Sequence, residues 1–270
     1  MKLKFWKMSG AGNDFVCLDN RRKTLRLSRR QVAHLCHRQF GVGADGLLVL
    51  EPAKSRGSDF RMRYYNADGG EAEMCGNGAR CFARYAQKMS RIRRGQITFD
   101  TGAGRVGAEF FGEEVRVELT EPRDADLNRN VPTQAGWTTV HSLNTGVPHA
   151  VVFVETVEAS DVVKLGAELR YHVHFQPKGT NVNFVQVLGP GKLRIRTYER
   201  GVEGETLACG TGVAAAALIA AEVHGFKSPV SLKVQGGDVL KVYFRREAKA
   251  FKEVKLHGPA DFVYQGEIDV

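Results

Sequence analysis

Met74-Cys75-Gly76-Asn77-Gly78-Ala79 and Ala208-Cys209-Gly210-Thr211-Gly212-Val213 are two copies of one pattern, about half the chain apart. Each puts a cysteine before a Gly-x-Gly turn, and each turn runs into an alanine-rich, helix-forming segment. Helices are predicted over Ala79–Met89 and Val213–Val223, the second apolar all round and therefore expected to lie buried among strands. A cysteine at a helix start sits where backbone N–H groups and the helix dipole favour negative charge, so its thiolate is stabilised. The bland alternative makes both cysteines small buried residues at tight helix entries. Repetition of the whole context, one copy per half, points instead to an active site assembled across a cleft.

Outward from these turns the two halves follow the same plan. In the first, strands are predicted at Leu3–Met8 and Phe15–Asp19, and a helix runs from N-cap Ser28 to about Arg38 with Val32, Leu35 and Cys36 on one face. Strands at Leu47–Leu50 and Asp59–Asn66 precede the first Cys-turn-helix, and a β-rich stretch from Gln96 to Leu119 follows it. Glu121–Pro132, polar and carrying Pro122 and Pro132, is expected to be a linker. The second half then gives strands at Thr138–Leu143 and Ala150–Val154, a helix near Ser160–Leu169, and strands at Val182–Val187 and Leu193–Tyr198. After its Cys-turn-helix come strands at Val230–Val234, Val239–Phe244 and Val254–Leu256. This is an internal duplication of an α+β unit, not the strict alternation that builds a parallel α/β sheet.

Bulk properties narrow the class. With 270 residues, 43% hydrophobic and 26% charged, the chain suits a soluble globular protein of one large or two ordinary domains. No apolar run approaches the roughly 18 residues of a membrane span. The start, Met1 to Lys7, has no apolar signal core, and five cysteines do not suggest a disulfide framework, so a reducing cytoplasm is expected. The net charge of +9 raises the question of nucleic acid. Its basic clusters, Arg21-Arg22-Lys23, Arg29-Arg30 and Arg91-Ile92-Arg93-Arg94, lack interleaved aromatics and match no nucleic-acid signature, so they are taken as solvated surface.

Cys36 with His34 and His37 fits no zinc spacing, and no metal is expected. Gly41-Val42-Gly43-Ala44-Asp45-Gly46 is formally G-x-G-x-x-G, but it enters a strand instead of opening a helix. The run from Gly102 to Gly107 lies inside a hairpin between Ile97-Thr98-Phe99 and Ala108–Phe111, so no nucleotide cofactor is expected either.

Several chemistries use cysteine. A nucleophilic cysteine needs one thiol with a histidine and an oxyanion hole. A redox pair usually sits as C-x-x-C, and metal sites need more ligands in register. Two cysteines in mirrored positions suit a two-base racemase, in which a thiolate removes a proton from one face of a carbon and a thiol returns one to the other. Paired helix N-termini also offer N–H groups to a carboxylate that gains charge as the α-carbon loses its proton. No pyridoxal-type lysine context is present, so such a site would work without a cofactor.

These residues carry a family resemblance. The matching stretches are Ser9-Gly10-Ala11-Gly12-Asn13-Asp14-Phe15, Gly41–Gly46, Tyr65-Asn66-Ala67-Asp68-Gly69, Met74–Arg80, Pro148-His149, Gly179-Thr180-Asn181-Val182, and Arg196–Gly212 with its Tyr198-Glu199-Arg200-Gly201. In this order, the chain resembles the diaminopimelate epimerase family, cofactor-independent enzymes that interconvert LL- and meso-diaminopimelate for lysine and peptidoglycan synthesis. The resemblance implies two similar domains, each a curved, mostly antiparallel β-sheet or barrel around a central helix. Residues 1–118 would carry Cys75 and residues 119–258 Cys209, with the last strand, about 259–270, returning to the first domain.

Carried over by position, Cys75 and Cys209 are the acid/base pair, and His149 and Glu199 tune their pKa values. Gly76, Asn77, Gly210 and Thr211 would bind the reacting carboxylate, while Asn13, Asn66, Asn181, Glu199 and Arg200 would hold the rest of the substrate. Arg200 suits a carboxylate and Glu199 an ammonium. Asn183 is taken as a turn former only. The resemblance also implies a homodimer acting on a small molecule.

Two positions depart from the family pattern. Many members have Gly-Asn-Pro-His where this chain has Gly146-Val147-Pro148-His149, and some have glutamine in place of Gly46. Asn144 or Thr145 are the nearest substitutes for the missing amide. The rivals are a racemase of another amino acid, such as histidine or proline, a non-catalytic amino-acid-binding protein, and a thiol-redox protein. Proline-type relatives carry histidine where Asn77 stands, and binding alone needs no second thiol.

Overall fold

The structure, a computed structural model, describes residues 2–248 and 250–270. Two compact units emerge, one built from the residues up to Val117 together with Gly258–Val270, the other from Glu118–His257.

The first unit runs β1 (Lys2–Gly10), β2 (Asn13–Asp19), α1 (Arg29–Cys36), β3 (Gly46–Pro52), β4 (Phe60–Asn66), β5 (Glu71–Ala72), α2 (Gly76–Ser90), β6 (Gln96–Thr101), β7 (Gly104–Phe111) and β8 (Glu114–Glu118). The second runs β9 (Arg123–Thr133), β10 (Gly136–Asn144), β11 (Pro148–Phe153), α3 (Val162–Tyr171), β12 (Asn181–Gly189), β13 (Lys192–Glu199), β14 (Gly204–Thr206), α4 (Gly210–Val223), β15 (Val230–Lys233), β16 (Val239–Glu247) and β17 (Ala250–Pro259). The last strand, β18 (Asp261–Asp269), belongs to the first unit and pairs antiparallel with β1, placing Lys2 beside Asp269.

Strand pairing repeats from unit to unit. In the first, β18, β1 and β2 are antiparallel neighbours, β2–β3 is parallel, β3–β4 antiparallel, β4–β6 parallel, and β6, β7 and β8 form a meander. The second gives the same series with β9, β10, β11, β12, β13, β15, β16 and β17. Each unit is thus a mostly antiparallel sheet around one helix, α2 against β1 to β4 and β7 in the first, α4 against β10 to β13, β15 and β16 in the second. The duplication expected from sequence is present.

The first β-α-β crossover shows how sequence places the core. Along β2 and β3 the residues alternate, and Val16, Leu18, Leu47 and Val49 join α1's Val32, Leu35 and Cys36 in one cluster. Phe15, Cys17, Leu48 and Leu50 are equally buried but point the other way, as period-two geometry requires. A parallel pair buried on both faces reads as a continuous apolar run, and each fully buried Leu or Phe contributes about 1.5–3 kcal/mol. Helix α1 starts where Ser28 and Gln31 close a capping box and stops at Cys36, short of Arg38.

Three expectations need correction. Glu121–Pro132 is not a linker: Arg123–Thr133 forms β9, the counterpart of β18, and Pro132 lies one residue from its end. Its polar sequence hid it because most of the strand is exposed, and left-handed Asp124 (φ 57°) and Asn128 (φ 57°) accompany breaks in its register with β10. Both long helices begin at the Gly-x-Gly turn itself, at Gly76 and Gly210, so the glycines form the first helical turn. Asn183 lies inside β12, fully buried, and not in a turn.

Candidate active site

In the first unit Cys75 is the N-cap of α2, with extended backbone (φ −139°, ψ 125°). Its sulfur accepts from Gly78 N at 3.4 Å, and its carbonyl takes the Ala79 N–H at 2.7 Å. First-turn N–H groups such as those of Gly76 and Asn77 lie beyond reach of any carbonyl of their own helix, which makes the turn suited to an anion. The Asn77 side chain is turned inward, its Oδ1 accepting from the fully buried Arg80 at 2.9 Å.

Asn13, at the start of β2, presents Oδ1 to the Cys75 thiol at 3.7 Å. Its orientation is fixed from behind, because Asn13 Nδ2 donates to Asp45 at 2.6 Å. Asp45 also accepts from Asp14 N at 3.1 Å and pairs with Arg38 at 2.7 Å. Burial and the neighbouring Asp14 charge raise the Asp45 carboxyl. Asp14 is held down to about 2: burial opposes this, but Arg38 and the buried Lys7 outweigh it. Asn66 ends β4 exposed to solvent, its backbone closing the turn to Gly69 and Gly70.

The second unit builds a different setting on the same frame. Cys209 is the N-cap of α4 (φ −118°, ψ 107°), 7% exposed, and lies 3.6 Å from the Thr211 hydroxyl. Thr211 Oγ1 lies 2.9 Å from His149 Nε2, while its carbonyl accepts from buried Thr145 at 2.9 Å. His149 is fully buried, and burial, aided by the charge of Arg200, pushes it down to about 3, so it stays neutral. Behind it, Asn183 Nδ2 lies 3.3 Å from His149 Nδ1.

Asn181 ties the surrounding loops, donating to Pro148 O at 3.0 Å and accepting from Arg200 N at 2.9 Å. Arg200 reaches Lys178 O at 3.1 Å. Glu199 accepts from Thr206 at 2.8 Å. A cavity of about 370 Å³ opens beside His149, lined also by Asn144, Gln176, Lys178 and Thr180.

The fold places both departures, and for Gly46 it supplies a steric reason. Register places Val147 two residues before His149, as Asn13 stands two before Phe15 in the first unit. Thr145 is spent on the Thr211 carbonyl and Asn144 Oδ1 on the turn at Gly146 N, so neither simply replaces the missing amide. At Gly46 a Cβ would meet Tyr65 O at 2.6 Å and the Tyr64 ring at 2.7 Å, leaving no room for a longer side chain.

Sequence reasoning missed Asp45 and Asn183 as parts of these networks, and raised Thr145 only as a substitute for the missing amide. The available signal was Asn183 inside a strand buried on both faces, where a polar residue must find partners. Among the remaining cysteines, burial pushes Cys36 and Cys81 up to about 12 and raises Cys17 as well. Among the described residues no group of three or more His, Cys, Asp or Glu is arranged to hold a metal ion, and no helix is long and apolar enough to cross a membrane.

Comparison with known proteins bears on this geometry. Residues 5–124 and 141–263 match the family model described as diaminopimelate epimerase. A diaminopimelate epimerase of Aquifex aeolicus is 41% identical over 98% of both chains. That of Chlorobaculum tepidum is 43% identical over 97% of this chain and 99% of its own. Among solved structures, a Bacillus anthracis phenazine biosynthesis protein of the PhzF family covers both chains fully with TM-score 0.78 at 14% identity. A hydroxyproline epimerase from Agrobacterium vitis has TM-score 0.74 at 16% identity, covering 99% of this chain and 92% of its own. At such identities these two show the shared fold, whereas the curated relatives and the family model show the family. The chain belongs to the diaminopimelate epimerase family.

Proposed function

We propose that the protein is an isomerase that epimerises LL-diaminopimelate to meso-diaminopimelate without a cofactor. The observation that carries this is the duplicated cap: a cysteine begins the central helix of each unit, next to first-turn N–H groups suited to a carboxylate. One cysteine acts as thiolate and removes the α-proton; the other acts as thiol and delivers a proton to the opposite face. Roles exchange with direction. As the α-carbon loses its proton, charge moves onto the α-carboxylate, where the N–H groups of Gly76, Asn77, Gly210 and Thr211 lower the barrier.

Asn13, Asn66, Asn181, Glu199 and Arg200 hold the substrate, with Arg200 the natural partner of the distal carboxylate. Glu199 and His149 tune the thiols, His149 as a neutral donor. Residues 1–118 with 259–270, and residues 119–258, are the two epimerase domains. The working form is a cytoplasmic homodimer, a reading supported by the family and by five cysteines kept as free thiols.

Incubating the reduced protein with LL-diaminopimelate in D₂O tests the reaction. Formation of the meso isomer with α-deuterium incorporation is expected. Exchange with histidine or proline and none with diaminopimelate would move the assignment to another amino acid.

A further inference from the structure

We propose that Asn183 is a positioning residue for the second cysteine: it fixes the tautomer of His149 and thereby turns the Thr211 hydroxyl proton toward Cys209. The Asn183 amide is not free to turn. Asn183 Nδ2 donates to Ala150 O at 2.9 Å, and Asn183 Oδ1 accepts from Thr197 Oγ1 at 3.0 Å. Flipping the amide would set its oxygen against the Ala150 carbonyl, which can only accept; the Thr197 hydroxyl can serve either end, so the carbonyl decides the orientation. The NH₂ end therefore faces His149.

An amide NH₂ only donates, so His149 Nδ1, 3.3 Å away, is the acceptor and carries no proton. The imidazole, kept neutral by burial, then has its one proton on Nε2. Nε2–H donates to Thr211 Oγ1 at 2.9 Å and occupies one lone pair of that hydroxyl. The Thr211 proton is left to point at Cys209 Sγ, 3.6 Å away. The sequence of donors is Asn183 to His149 to Thr211 to Cys209, and every step follows from the first. A donor aimed at the sulfur favours its thiolate.

The duplicated unit shows that this polarity is not required by the fold. Leu47 pairs with Tyr65 and Val182 with Tyr198; one residue on, Leu48 and Asn183 hold equivalent places. Phe15 pairs with the residue before Leu47 and His149 with the residue before Val182, so these two correspond as well. The helix entries agree: a Cβ on Gly78 would meet Leu48 and Phe15, whereas one on Gly212 would meet Asn183 Oδ1 at 2.3 Å. Beneath Cys75 these places are thus filled by Leu and Phe, and beneath Cys209 by Asn and His.

The catalytic part of this role rests on the acid/base assignment of Cys209 above. Two measurements are independent of turnover. Nitrogen NMR of the wild-type imidazole should show His149 protonated at Nε2 and bare at Nδ1; a proton on Nδ1 overturns the proposal. In Asn183→Leu, which copies the Leu48 arrangement, iodoacetamide alkylation of Cys209 relative to Cys75 at neutral pH should fall about tenfold, as expected for losing a hydrogen bond to a charged group. The same variant should lower kcat for diaminopimelate about tenfold with KM unchanged. Asn183→Asp keeps the shape but accepts from the imidazole, so it should be at least as slow. A folded Asn183→Leu protein with wild-type alkylation ratio and kcat defeats the proposal. Absence of epimerisation by the wild type would defeat only the functional reading.

Discussion

Beneath Cys75 the sheet presents Phe15, Leu48 and Tyr64; at the matching register positions beneath Cys209 it presents His149, Asn183 and Thr197. The first set packs by shape, with the Phe15 and Tyr64 rings edge to face at 6.2 Å. The second must satisfy hydrogen bonds, because a buried polar group without a partner costs about 1–3 kcal/mol. Each of its members has one. The contrast separates what the fold needs, which is volume under the helix entry, from what the chemistry of one thiol needs. The side-chain partners of the two thiols differ as well, beyond the Gly78 N–H that the Cys75 sulfur accepts. The Cys75 thiol faces an acceptor, Asn13 Oδ1, anchored on the Asp45 carboxylate, whereas Cys209 ends a line of donors.

Removing either thiol is the bluntest way to break the comparison. Cys75→Ala and Cys209→Ala should each lower kcat roughly a thousandfold, in the range lost when a general acid or base is deleted, with unchanged circular dichroism. Near-normal turnover by either variant would end the two-base mechanism. Next, the double variant His149→Phe/Asn183→Leu rebuilds the second unit on the pattern of the first. It should fold, with a thermal midpoint within a few degrees of wild type, yet lose about a hundredfold in kcat/KM. Retained activity would show that the polar set is structural only.

Acid should distinguish the units. The folded protein holds His149 neutral down to about 3, while the unfolded chain takes up a proton below about 6.5. Stability from this group is therefore complete above pH 6.5 and declines as pH falls toward 3, by about 2 kcal/mol at pH 5. Asp14 in the first unit has its pKa depressed to about 2, so its contribution is complete above about 3.8 and is lost only as pH falls through about 2. Hydrogen exchange followed from pH 7 to pH 4 should show β11 and α4 opening before β2 and α2. Simultaneous loss of protection would contradict this, and the double variant should lack the slope.

The smallest expected effect concerns the turn glycines. Gly212→Ala forces Asn183 to move and should cost about 1–3 kcal/mol in a denaturant titration. At Gly78 the nearest atom to an added Cβ is the Leu48 methyl at 3.3 Å, so Gly78→Ala should cost less. Equal losses would mean that the Asn183 contact is soft.

The helices, the duplicated plan and the cysteine caps were legible because they rest on local rules: periodicity, turn glycines and capping. β9 was not, since an exposed strand with two left-handed residues has the composition of a linker. Asn183 was misread for a related reason. Asparagine favours turns when considered alone, and only the pairing of β12 with β11 and β13 shows that it lies under a helix entry. Asp45 escaped because it sits in a glycine-rich loop and acts through Asn13, 32 positions away in sequence. The helix entries could be found by local reading, but the groups that set their chemistry come from strands distant in the chain.

Pairing β18 with β1 makes the second unit an insertion within the first. A chain emerging from the ribosome can complete the Cys209 unit while the Cys75 unit still lacks its closing strand. A truncation just before Asp261 would leave the second unit whole and strip β1 of its outer partner, exposing a strand edge prone to association. Joining residue 270 to residue 2 through a short linker and reopening the chain after Val117 would give a permuted protein in which each half is continuous.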